Sequence, residues 1–418
     1  MRNDTQALQS GTMTSQHRYT VLDAWRGVCA LLVTVVHIPL NHRFQGTEGF
    51  LNMQMFVDFF FVLSGFVMCH AYGSSLTSGK TRFDGFMIRR FGRIYPLHLA
   101  LILGFLVLEL AKLAITYAVK MDIDGAPFTG PRSLESLGAN LLLVQSFNLL
   151  GTTSWNGPAW SISVEFYAYI VFAVVVLLAG MHTALFAALA TIGVAGLVLL
   201  SPNYIFATHD YGFLRCLYGF FVGCLVYQAV ARTKALAFNG TVLEIAAIGL
   251  LTAFMMLSGK NASSLFAPLV FAAVVYVYAF EKGLVSTLLK TAPAQALGLW
   301  SYSIYMVHML IFTVEKMAFG LIAKKGLFGL TGVVTPTAKL WTFNNAALDA
   351  AFFLSQIVLT LIASKLTYDL IEDPWRRRFA TLASRREKAQ VSSHAAPASA
   401  EIGTGISGLR IARGLGHR

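Results

Sequence analysis

The reading of the chain turns on Leu22-Asp23-Ala24-Trp25-Arg26-Gly27-Val28-Cys29-Ala30-Leu31-Leu32-Val33-Thr34-Val35-Val36-His37-Ile38-Pro39. This stretch is apolar enough to enter a bilayer, yet it carries Asp23, Arg26 and His37. Ionisable groups in a lipid-embedded segment are costly and by default mark function. Arg26 and His37 lie eleven positions apart. On a helix that separation is about three turns plus roughly 20°, which sets both side chains on one face about 16 Å apart along the axis. The competing reading is that Arg26 snorkels to an interface and His37 caps the helix end.

Outward from this stretch the composition is that of a membrane protein. Of 418 residues 56% are hydrophobic and only 12% charged, and the mean hydropathy is +0.63. A soluble globular chain carries about twice that share of charge. The formal net charge of +12 does not point to nucleic acid, because the basic residues fall in short segments between apolar runs, as the positive-inside rule describes. Cys29, Cys69, Cys216 and Cys224 each sit inside an apolar run without metal-ligand spacing, so they read as small hydrophobes. No metal is expected. The first apolar run has no small-residue cleavage site behind it and reads as an uncleaved anchor.

Runs long enough for the roughly 20 residues of a spanning helix occur near 21–39, 50–73, 94–117, 159–180, 183–200, 213–231, 241–258, 264–280, 299–322 and 348–370. The expected fold is therefore an all-α integral membrane bundle of about ten transmembrane helices. A shorter piece, Asn140 to Leu150, is predicted as a re-entrant or interfacial helix. Residues 1–19 read as an amino-terminal tail and 20–379 as the membrane domain. Residues 380–418, rich in Ser, Ala, Gly and Arg, read as a disordered basic tail. With both termini cytoplasmic, inside segments hold Lys80, Arg82, Arg89, Arg90, Arg93, Arg232, Lys234, Lys282, Lys290 and Arg376-Arg377-Arg378, whereas outside segments hold Arg43, Lys120, Arg132, Lys260, Lys324, Lys325 and Lys339. The bias is clear at both ends and weak around 320–345.

This topology puts His37 near the outer end of the first span and Arg26 near its inner end. Glu165 is the sixth residue of a span opening with Trp160, so it is expected less than about 10 Å below the outer edge, at the depth of His37. A carboxylate bonded to a histidine fixes its tautomer and makes it a general base. The alternative for Glu165 is a structural ion pair with Arg215. Asp58, in Val57-Asp58-Phe59-Phe60-Phe61-Val62-Leu63-Ser64-Gly65-Phe66, is expected to pair with Arg26 or Arg215, or to orient His37. In Arg89-Arg90-Phe91-Gly92-Arg93-Ile94-Tyr95-Pro96, Arg90 and Arg93 fall on neighbouring parts of one helix face. Two guanidiniums at a membrane surface suit phosphate, or serve as a topology signal beside lipid headgroups.

These stretches, with Asn156-Gly157-Pro158-Ala159-Trp160-Ser161 ahead of Glu165, Leu297-Gly298-x-x-Ser301-Tyr302-Ser303-Ile304-Tyr305-x-x-His308, and Tyr368-x-x-Ile371-Glu372-x-Pro374, resemble the membrane acyltransferase family 3. The resemblance spans residues 22 to 374. It implies a bacterial inner-membrane O-acyltransferase that takes an acyl group from cytoplasmic acyl-CoA, acetyl-CoA by default, and places it on a hydroxyl of a polysaccharide, glycolipid or other acceptor. It further implies Arg90 and Arg93 on the CoA phosphates, Arg26 beside the pantetheine arm, His37 as general base with Glu165 or Asp58 behind it or, by the alternative route, as the carrier of an acyl-His intermediate, and Trp160, Tyr302 and His308 as substrate contacts. Two departures stand out: Ala24-Trp25 replaces the family's usual Gly-Leu, and a short tail follows the membrane part where many relatives carry a soluble domain. The rival class is a secondary transporter, which also uses buried His, Glu, Asp and Arg.

Overall fold

The computed structural model describes residues 17–41, 46–119, 125–236, 238–335 and 339–395, the last six of these by backbone alone. The expected tail segments 1–16 and 396–418, and Arg43 and Lys120 of the charge count, lie outside the described residues. The longer helices are α1 (Thr20–His37), α2 (Phe56–Met68), α3 (Phe83–Val119), α4 (Leu134–Leu141), α5 (Trp160–Ala179), α6 (Thr183–Leu200), α7 (Gly212–Arg232), α8 (Gly240–Leu257), α9 (Ala267–Tyr278), α10 (Ala292–Lys324), α11 (Ala346–Thr367) and α12 (Asp373–Ala395). Among the described residues nine helical segments are long and apolar enough to cross a membrane, and the stretch expected at 264–280 is the shorter helical piece Ala262–Tyr278. The all-α membrane bundle is thus what the apolar runs predict.

Helices α1 and α10 pack closely and run parallel. Gly27 and Gly298 bring them together: a Cβ on Gly27 would lie 2.6 Å from the Gly298 nitrogen, and one on Gly298 would lie 2.5 Å from the Asp23 carbonyl oxygen. Small residues that let backbones touch are the membrane substitute for hydrophobic association, since lipid tails are as apolar as leucine. Ten positions on, the same alignment sets the His37 and His308 rings 5.2 Å apart. Helices α2 and α7 pack around Phe59, Phe61, Phe66, Phe220 and Phe221, all buried.

Three features differ from the sequence expectation. First, α3 begins eleven residues before 94 and has 37 residues, about 55 Å at 1.5 Å per residue against about 30 Å of hydrocarbon. Arg90 and Arg93 therefore lie about two turns inside a continuous helix rather than at its opening. Second, the helix expected at 140–150 sits earlier, at Leu134–Leu141, started by Ser133, whose hydroxyl accepts from the Ser136 amide at 3.2 Å. It cannot continue, because Leu143, Asn148 and Trp155 adopt positive φ, which ends a right-handed helix. The irregular chain is tolerated at this place because its polar groups find protein partners: Ser163 Oγ donates to the Leu143 carbonyl at 2.5 Å, and Gln145 Nε2 donates to the Ala159 carbonyl at 3.0 Å.

Third, helix continues beyond 380 to Ala395. Arg89 donates to both carboxylate oxygens of Glu387 at 2.8 and 2.7 Å, Phe379 packs on Gly92 and Ala383 is buried. Docking against α3 supplies the burial that the polar composition of α12 lacks on its own. Past α10, an antiparallel hairpin pairs β1 (Thr331–Val334) with β2 (Lys339–Thr342). Trp341 donates to the Pro39 carbonyl at 3.1 Å and accepts from the Asn41 amide at 2.8 Å, so the hairpin holds the chain that leaves α1 just after His37.

Candidate active site

The candidate site residues singled out in the sequence, Asp58 and His308 apart, line two cavities. Arg26, Arg90, Arg93, Ser64, Glu165, Tyr169, Ser301, Tyr302 and Tyr305 line the first, of about 110 Å³, room for several waters or a short acyl group. Glu165 is held there by Tyr169, one helical turn further along α5, whose hydroxyl donates at 2.6 Å, and by the Ser64 hydroxyl of α2. Arg90 donates to the Tyr72 hydroxyl at 2.9 Å and lies 4.9 Å from the centre of that ring, while its buried Nε has no protein partner. Arg93 pairs with the buried Glu372, which also accepts from Ser303 at 2.7 Å. Arg26 lies 3.9 Å from Asp23, too long for a strong hydrogen bond. Tyr302 stands against this group: its hydroxyl donates to the Ile94 carbonyl at 2.6 Å and its ring lies 5.5 Å from the Arg93 guanidinium.

His37, Trp160, Arg215, Tyr305, Asn203, Thr208 and Lys260 are among the residues that line the second cavity, of about 380 Å³. His37 Nδ1 lies 2.7 Å from the Val33 carbonyl oxygen. A carbonyl only accepts, so Nδ1 carries the proton and the neutral ring keeps Nε2 as its basic atom. His308 Nδ1 makes the equivalent contact with the Ile304 carbonyl at 3.2 Å, and its buried Nε2 has no protein partner.

The structure therefore separates residues that the spacing had placed together. Glu165 lies in the arginine cavity and not beside His37; the His37 tautomer is fixed by its own helix. The cause is the depth at which α5 starts. Tyr305 donates to the Pro158 carbonyl at 2.9 Å and Asn156 Nδ2 to the Met306 carbonyl at 3.0 Å, so the first turn of α5 is already sunk to the level of the middle of α10. Glu165 is then about 7 Å deeper still, level with Arg26. Asp58 turns away from His37 as well. It accepts from Arg215 Nε and Nη2 at 2.9 and 2.7 Å, while Arg215 Nη1 donates to the Ala207 carbonyl at 3.1 Å and the guanidinium lies 5.0 Å from the Trp160 ring. That is a buried bidentate pair, and it answers both the Asp58 and the Arg215 alternatives: Glu165 has no bond to Arg215 among the described contacts. Of the expected substrate contacts, Tyr302 belongs with the arginines, Trp160 lines the His37 cavity and His308 stands behind His37.

Sequence reasoning assigned no role to Ser64, Tyr169, Ser161, Tyr305 and Glu372. Tyr169 was accessible through its one-turn spacing from Glu165; the others are in the quoted motifs, but their partners are on distant helices.

The family model described as an acyltransferase domain matches residues 19–368. The chain belongs to this acyltransferase family. Acyltransferase MdmB of Streptomyces mycarofaciens is 26% identical over 395 residues, covering 86% of this chain and 92% of its own length. Protein 2 in picA locus of Rhizobium radiobacter is 32% identical over 168 residues, covering 37% of this chain and 81% of its own length. No solved structure matches. In this membrane acyltransferase both cavities lie within the matched span, which decides between the enzyme and the transporter.

Proposed function

We propose that the chain moves an acyl group, acetyl by default, from cytoplasmic acyl-CoA to a hydroxyl of a surface polysaccharide, glycolipid or similar acceptor, in a bacterial inner membrane with both termini cytoplasmic. The observation that carries this reading is the pairing of an arginine-lined cavity with a histidine-lined one, ordered along α1 by Arg26 and His37. The residues present suit the donor. Arg90 offers an unpartnered buried N–H, Arg26 is weakly held by Asp23, and Arg93 is exchangeable between Glu372 and phosphate. The donor's extended arm then runs from these arginines toward His37, about 16 Å along the helix axis.

His37 Nε2 takes the proton of the acceptor hydroxyl as its oxygen attacks the thioester carbonyl; the C–O bond forms, the C–S bond breaks, and the departing thiolate is protonated. Glu165 keeps the arginine cavity from carrying an uncompensated cluster of cations and fixes Tyr169 and Ser64. Glu165→Gln removes a negative charge from the cavity proposed to hold the donor and weakens the bonds from Tyr169 and Ser64, so it is expected to change acyl-CoA affinity about tenfold or more, with a smaller effect on kcat than loss of His37. Stopped-flow donor binding alongside steady-state rates checks both halves.

The arginines are expected to respond unequally to lysine. Arg90→Lys keeps a positive charge beside Tyr72 and retains part of donor binding, with greater salt sensitivity because a point charge replaces a fork. Arg93→Lys leaves the buried Glu372 short of its planar partner and costs more at every ionic strength. Acyl-CoA binding at two salt concentrations distinguishes them; equal losses with equal salt response contradict separate roles. The function itself is tested with purified protein and acetyl-CoA, following free thiol, and by mass spectrometry of cell-surface glycans with and without the protein. A chain that neither hydrolyses nor transfers from acetyl-CoA, in cells whose glycans keep every acyl mass, overturns the reading.

A further inference from the structure

Tyr305 is the aromatic residue common to the linings of the arginine cavity and the His37 cavity. Its side chain is 5% exposed. The hydroxyl is tied at 2.8 Å to Ser161 Oγ and at 2.9 Å to the Pro158 carbonyl, both at the sunken start of α5, and Ser161 Oγ also lies 3.1 Å from that carbonyl. The ring bridges α10 to α2 through Phe60, centroids 5.8 Å apart, and lies 6.2 Å from His308. Two hydroxyls and one carbonyl thus hold in place an aromatic ring that lines both spaces.

We propose that Tyr305, latched by Ser161 and Pro158, is the partition that keeps the donor thioester apart from water on the His37 side until an acceptor is present. The proposal rests on the acyl-CoA reading above for its chemistry but on the cavity linings alone for its geometry. A thioester reachable by water hydrolyses: water oxygen bonds to the acyl carbon, the C–S bond breaks, and the proton ends on sulfur. An enzyme fed from both faces of a membrane needs a barrier against that side reaction. Tyr305 is a positioning residue in this scheme; the chemistry stays with His37.

Full-length protein in proteoliposomes tests it in two independent ways. Without added acceptor, Tyr305→Ala is expected to raise acetyl-CoA hydrolysis about tenfold or more, because the excluded water now reaches the thioester. Tyr305→Phe keeps the ring but loses the latch, and is expected to raise hydrolysis several-fold. A damaged fold lowers hydrolysis instead of raising it, so a gain separates the partition from a structural role. The second readout needs no donor. Ser301 lines the arginine cavity but not that of His37, and the four native cysteines are buried. In Ser301→Cys a membrane-impermeant maleimide added from the His37 side is expected to leave the introduced thiol unlabelled; in Ser301→Cys/Tyr305→Ala it labels. Absence of labelling in the double variant overturns the partition whatever the hydrolysis. If Tyr305→Ala does not accumulate, wild-type hydrolysis in Tyr305→Phe overturns it. Failure of the wild type to use acetyl-CoA sinks the donor reading instead and leaves the labelling result standing.

Discussion

His37→Ala is expected to leave the protein inserted and folded while lowering acyl transfer by about 10²- to 10⁴-fold, the contribution of a positioned general base. Insertion is unaffected because a methyl replaces a polar group in a spanning helix, and the α1–α10 contact depends on Gly27 and Gly298 rather than on His37. Donor binding should persist, since Arg26, Arg90 and Arg93 line a different cavity. The base assignment also predicts which near-isostere fails. His37→Asn can make the local contact to the Val33 carbonyl, but its amide has no basic nitrogen, so it should be as inactive as alanine. Transfer rates and donor binding on the purified variants check this; near-wild-type turnover in either one removes His37 from the chemistry.

The largest loss of stability is expected at the Asp58–Arg215 pair. Asp58 is 0% exposed and Arg215 is 2% exposed, and their two bonds join α2 to α7 beneath the Trp160 ring. Removing one partner strands a charge in low dielectric, at a cost of about 3–5 kcal/mol. Asp58→Ala and Arg215→Ala should therefore each unfold at markedly lower temperature in detergent. Replacing both with apolar residues of similar volume, Asp58→Leu with Arg215→Met, should recover most of the loss, because the desolvation of both charges disappears together. Thermal unfolding of the three variants measures this. A double variant as unstable as the singles would mean that the pair does more than neutralise itself, for instance by shaping the His37 cavity that Arg215 lines.

The spacing of Arg26 and His37 on one helix, the all-helical membrane bundle with most of its apolar runs, and the ordered motifs from residue 22 to 374 were legible in the chain, because membrane insertion is decided by local apolar length and a helix face by local periodicity. Partner choice was not. Whether Arg215 neutralised Asp58 or Glu165 depended on how far α5 is sunk into the bundle, and that depth is set by the Asn156 and Pro158 contacts with α10, which join residues some 150 positions apart. Glu165 accordingly moved from the expected level of His37 to that of Arg26. The continuation of α12 past 380 was hidden for a related reason. Its sequence is too polar to hold a helix alone, and the stabilising partners, Arg89 and Gly92, lie on α3. Local sequence determined which residues enter the membrane and which face they share; the packing of distant helices against one another, that of α5 on α10 for Glu165 and of α2 on α7 for Asp58, decided where each charge sits, because hydrogen bonds between distant helices leave no periodic mark on either one.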